Sequence, residues 1–113
     1  MVRQQNTNKN GDAWTEAEIE AVWQKGNIIP GYDADSVRYD KCSNIMLFSL
    51  HGKRNSEYGW EIDHINPVAN GGGDDISNLQ PLNWTTNVAK GDNLNWICKS
   101  IESPLFEKRL SVT

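Results

Sequence analysis

The chain has 113 residues, 37% of them hydrophobic and five of them tryptophan, enough for one domain with one modest core and no metal or disulfide staples. No stretch approaches the ~20 apolar residues of a membrane span, and the polar start MVRQQNTNKNGD lacks the apolar segment of a secretory signal. Eleven basic against fifteen acidic residues give a formal charge of −4, which by itself weighs against a nucleic-acid partner.

Charge distribution softens that exclusion. Acid is concentrated at Glu16, Glu18, Glu20, Asp33 and Asp35, and again at Glu61, Asp63, Asp74 and Asp75, where residues 61–83 hold no Lys or Arg. A bound divalent cation needs such acid, although a solvated loop has the same composition. Cys42 and Cys98 form no CxxC pair, so a four-cysteine zinc knuckle is excluded. Reduced thiols in a cytoplasmic chain are the expectation.

In chain order, residues 1–12 are Asn- and Gln-rich and predict a disordered arm, leaving 13–113 as a single domain. TEAEIEAVWQKG predicts a helix with Thr15 as N-cap, Glu18 closing a capping box, Trp14 and Ile19 at the staple positions and Gly26 as C-cap. Its apolar face is Ile19, Val22 and Trp23. IIPGYDADS is a connecting loop. SVRYD, a turn at KCSN and IMLFSLHG predict a β-hairpin. A third strand runs from Trp60 to Ile65 and stops before Pro67. VANGGGDD is a loop, ISNLQPL a fourth short strand, and Asn83 caps a helix through WTTNVAKGDN that ends at Gly91. The tail from Leu94 is partly amphipathic.

Polar residues stand out around the third strand. EIDHINP sets Asp63 beside His64 within an apolar strand, and Asn78 and Asn87 follow at intervals. Singly, each has an ordinary structural reading: a packed histidine, an amide-bonding aspartate, a turn former, a solvent-facing helix residue. Together they match a known pattern. Residues 58–92, YGWEIDHINPVANGGGDDISNLQPLNWTTNVAKGD, resemble the HNH endonuclease family, through DHI-x-P, the glycines and Asp of GGDD, NLQ-x-L and N-x-x-K-G-D. The family's third letter is commonly a metal-binding histidine, and here it is Asn87, an HNN arrangement. The preceding hairpin also looks like the leader of small stand-alone HNH proteins.

The resemblance implies an α+β fold: a ββα-metal (His-Me finger) core with an N-terminal helix and a preceding β-hairpin. It implies a metal-dependent endonuclease that hydrolyses DNA phosphodiesters with one divalent ion. His64 would be the general base, Asp63 and Asn87 the metal ligands, and Asn78 the residue that holds the His64 loop and orients the imidazole. An amide oxygen in place of an imidazole shifts the metal toward Mg²⁺ or Mn²⁺ and away from Ni²⁺ or Zn²⁺. Glu61 shares a strand face with Asp63 and would support the metal site. Lys90, Arg54, Lys53 and Arg38 are the candidates for phosphate contacts. A homodimer or larger nuclease complex would permit double-strand breaks, and a monomer would nick. The alternative is a catalytically weak HNH-fold module that binds nucleic acid or protein, which the acidic charge and Asn87 both favour.

Overall fold

The first helix (α1, Glu16–Trp23) forms where its capping residues put it. Thr15 Oγ1 accepts the Glu18 N–H at 3.1 Å, and the Glu18 carboxylate accepts the Thr15 N–H at 2.9 Å, so the capping box is complete. Val22 and Trp23 are buried, with Ile19 packed against the same cluster. The C-cap is Gln24 rather than the expected Gly26. Gly26 instead sits against the Arg38 side chain: a Cβ there would lie 3.1 Å from it, so the neighbour would have to give by a few tenths of an ångström.

Arg38 is itself a correction. The sequence reading gives it a phosphate contact, but it is buried at 5% exposure and finishes α1 instead. Its Nη1 donates to the Gln24 and Gly26 carbonyls at 3.1 and 3.0 Å, and Nε donates to the Ala34 carbonyl at 2.8 Å. The carbonyls at a helix C-terminus lack intrahelical donors. Backbone N–H groups of Lys25 and Gly26 serve Val22 and Trp23, and this guanidinium serves the C-cap Gln24 and Gly26 just beyond it.

The computed structural model describes residues 4–98 and has an α+β architecture, with two helices and two small sheets among those residues. The first sheet is antiparallel in the order β1 (Asn27–Ile28), β2 (Val37–Tyr39), β3 (Ile45–Leu47). Its β2–β3 pair is the expected hairpin, cut short because Phe48–Leu50 turns into a 3₁₀ helix. Strand β1 escapes sequence patterning because it is two exposed residues long. The second sheet pairs β4 (Trp60–His64) with β5 (Leu79–Asn83), with Asp63 opposite Gln80 and His64 opposite Leu79.

Helix α2 (Trp84–Lys90) follows β5 directly. The Asn83 side chain caps it by accepting the Thr85 N–H at 2.9 Å, and Gly91 ends it at φ +56°. Trp14, Val22, Trp23, Met46, Trp60, Ile62 and Leu79 make one core that joins α1 to both sheets. The Trp23 and Trp60 rings lie 5.1 Å apart at its centre. No helix among the described residues is long and apolar enough to cross a membrane.

Two further expectations are overturned. Composition predicts a disordered arm, yet residues 4–12 fold against the second sheet. Asn8 Oδ1 accepts the Asn10 and Asp12 N–H groups at 2.9 and 3.0 Å, and Asn6 Oδ1 accepts the Ile62 N–H on β4 at 2.8 Å. Tertiary hydrogen bonds, not apolar content, order the arm. Cys42 and Cys98 are joined in a disulfide with Cα atoms 5.2 Å apart, in place of free thiols. Most of the partly amphipathic tail lies outside the described residues.

Candidate active site

Strand alternation sends Glu61 and Asp63 to one side of β4 and Ile62 and His64 to the other, and all five residues of the strand are buried. Each charged group therefore needs a partner, and each has one. Arg54 Nε and Nη2 clasp the two Glu61 oxygens at 2.8 Å each, a bidentate pair. Glu61 Oε1 also accepts from Asn87 Nδ2 at 2.8 Å. A carboxylate only accepts, so the amide nitrogen must face Glu61, and the Asn87 carbonyl oxygen is left as its ligating group.

Asp63 is held from β5 and α2. Gln80 Nε2 donates to its Oδ2 at 2.9 Å, and Lys90 Nζ lies 3.3 Å from each of its oxygens. Burial raises the Asp63 pKa above the ordinary carboxylate value, while the Gln80 hydrogen bond and the Lys90 charge oppose that rise. Lys90 is only 1% exposed and also donates to the His64 carbonyl at 3.2 Å. This corrects its expected role: helical spacing from Asn87 suggested a phosphate contact, but the long side chain turns inward to neutralise a buried acid.

His64 Nε2 is 2.8 Å from Asp74 Oδ1, and the Trp14 ring packs beside the imidazole with centroids 5.5 Å apart. Asn78 works as a loop fastener. Its Oδ1 accepts the Asn66 N–H at 2.8 Å, and Nδ2 donates to the Asn66 and Gly73 carbonyls at 3.1 and 2.9 Å. It thus holds the loop after His64, as expected, but the imidazole's polar partner is Asp74.

Asp63, His64 and Asn87 line one cavity of about 210 Å³, together with Arg54, Asp92 and the arm residues Gln5 and Asn6. A larger cavity of about 420 Å³, walled by Glu16, Glu20, Phe48 and His51, contains none of these groups. His51 is occupied there by Asn6, 3.1 Å away, and by the Trp60 ring. Lys53 is exposed, and Arg54 is about one-third exposed and lies 5.7 Å from the centre of the Trp84 ring. Arg54 and Lys53 are therefore the candidate basic residues that still face solvent.

The donor set around the cavity suits a hard cation: one carboxylate and one amide oxygen, with room for water or phosphate. No group of three or more His, Cys, Asp or Glu able to hold a metal occurs among the described residues, which offer a partial donor set. Sequence reasoning missed Asp74 and the arm. The Gly-rich GGDD stretch is the signal for the first, because a tight turn after the strand returns that acid to the strand end.

Residues 49–93 match the family model described as HNH endonuclease. No curated protein and no solved structure matches the chain.

Proposed function

We propose that this protein is a metal-dependent endonuclease that hydrolyses DNA phosphodiester bonds through a ββα-metal site, with His64 as general base. The observation that carries this reading is that Asp63 and His64, neighbours on β4, and Asn87 on α2 border one cavity. With Nε2 engaged by Asp74, Nδ1 of His64 is the nitrogen that takes the proton of the attacking water. Asp63 and Asn87 would hold a single divalent ion, Mg²⁺ or Mn²⁺ by ligand type, with Ni²⁺ and Zn²⁺ as alternatives. Such an ion supplies Lewis-acid stabilisation of the phosphoryl oxygens and the leaving oxygen. Glu61 fixes the Asn87 amide, and Arg54 with Lys53 offers positive charge to the DNA backbone at the cavity rim.

The test is cleavage of supercoiled plasmid by the pure protein, with EDTA or with each of the four metals, beside His64→Ala. Metal-dependent nicking that disappears in the variant supports the reading, and equal nicking by both proteins overturns it. One observation favours a second reading, an HNH-fold binding module. Lys90 already places a positive charge on Asp63, which lessens the need for a metal there. DNA binding that is unchanged by His64→Ala, without cleavage under any metal, would select that module.

A further inference from the structure

Asp74 sits in the glycine-rich loop ten residues after His64 and reaches back to the ring, with Oδ1 2.8 Å from Nε2. Gly72 makes the return possible: a Cβ there would lie 1.7 Å from the Asn66 carbonyl oxygen, so only glycine lets the loop close this tightly. A carboxylate has lone pairs but no proton to give, so Nε2 carries the ring proton and Nδ1 is the acceptor. One contact thereby fixes both the tautomer and the ring orientation.

The same carboxylate is fastened from a distant part of the sequence. The Lys9 N–H donates to Asp74 Oδ1 at 3.0 Å and to Oδ2 at 3.3 Å, across 65 positions. Lys9 is itself held in a turn that the Gly11 N–H closes on the Asn8 carbonyl at 2.9 Å.

We propose that Asp74 is the positioning residue of His64, and that the N-terminal arm holds it in place through the Lys9 amide. The catalytic consequence rests on the nuclease reading; the tautomer does not. Outer partners of this kind contribute roughly 10- to 100-fold to activity. The arm is therefore part of the site and not a tether.

The experiment is long-range ¹H–¹⁵N correlation of the imidazoles in the full chain, at a pH where both rings are neutral, with kcat and KM for plasmid nicking measured alongside. There are only two histidines, so His51 serves as the internal control. Wild type should give the Nε2–H tautomer at His64. Asp74→Ala should lose it and lower kcat by roughly 10- to 100-fold at near-constant KM. Asp74→Asn, whose Oδ1 still accepts, should keep the tautomer and recover part of kcat. Lys9→Pro removes the backbone donor together with the lysine side chain, at the second position of a turn that favours proline, and should move both readouts partway toward Asp74→Ala. Lys9→Ala, which keeps the donor, should move neither.

An Nδ1–H ring in wild type, or a tautomer indifferent to Asp74→Ala, overturns the assignment. Unchanged readouts in Lys9→Pro remove the arm from it. If no protein cleaves DNA, the spectra still decide the Asp74–His64 pair while the nuclease reading fails separately.

Discussion

Arg38 and Arg54 belong to the two halves of the molecule and are used in opposite ways. Arg38, between α1 and the first sheet, spends its guanidinium on the backbone carbonyls of Gln24, Gly26 and Ala34 and on one amide side chain. Arg54, beside the second sheet, spends its own on Glu61, which in turn holds Asn87. The contrast extends beyond these two residues. Around β4 and α2, buried charges are paired with other side chains, Lys90 with Asp63 and Glu61 with Arg54, and the buried His64 ring is hydrogen-bonded to Asp74. Backbone carbonyls can be satisfied in any fold. Buried ion pairs seldom add net stability over apolar packing, so their clustering beside one cavity is consistent with the proposed function of that half of the molecule.

The largest effect should come from breaking one of those pairs. Lys90→Met leaves the Asp63 carboxylate buried and uncompensated, and should cost about 3–5 kcal/mol in urea unfolding. Adding Asp63→Asn should restore most of that loss. A single-variant cost below about 1 kcal/mol, the size of an exposed pair, would mean that the pair is not a buried one. Next, Arg38→Ala should cost about 2 kcal/mol by orphaning carbonyls, with DNA binding per folded molecule unchanged. Arg54→Ala should also cost stability, because it takes the guanidinium from the buried Glu61 carboxylate, but unlike Arg38→Ala it should weaken DNA binding and flatten its salt dependence. Equal binding losses from the two arginines would erase the distinction between the halves.

Thr15→Ala, confined to the scaffold half, should cost about 1 kcal/mol through loss of the cap and leave nicking by the folded protein untouched. The smallest effect concerns pH. Burial lowers the His51 pKa below 6.5, against an opposing pull from Glu61. The folded state then binds this proton less readily than the unfolded chain does. Its stabilising contribution is present above pH 6.5 and is lost as pH falls through the lowered folded value. Chemical denaturation of His51→Gln across that window should show a shallower loss than wild type.

How much of this was legible depended on how local each cause is. Helix α1 could be read because Thr15, Glu18 and Trp14 specify it within a few residues. The β4–loop–β5–α2 order could be read because its motif is contiguous in sequence. Arg38 and Lys90 were misread for a shared reason: a long basic side chain advertises charge, while most of its partners lie 12 to 27 positions away and are set by packing. The arm was misread because its order comes from Asn6 meeting the Ile62 N–H across 56 positions. Asp74 stood in a recognised motif whose Gly-rich turn signals a return to the strand end, but that signal does not choose between Asp74, which faces His64, and its exposed neighbour Asp75.

The Cys42–Cys98 bond closes the chain into a covalent ring, and β4, β5 and α2 all lie inside it. A protease cutting once inside that ring, at exposed Gly71 for example, would release no fragment, and the nicked protein would travel as one species until reduced. The arm and α1 hang outside the ring. Asn6, Lys9 and Trp14 reach the site only by noncovalent contact, so a single cut after α1 could release all three together. The motif residues stay bound to one another, whereas the parts that orient them are detachable.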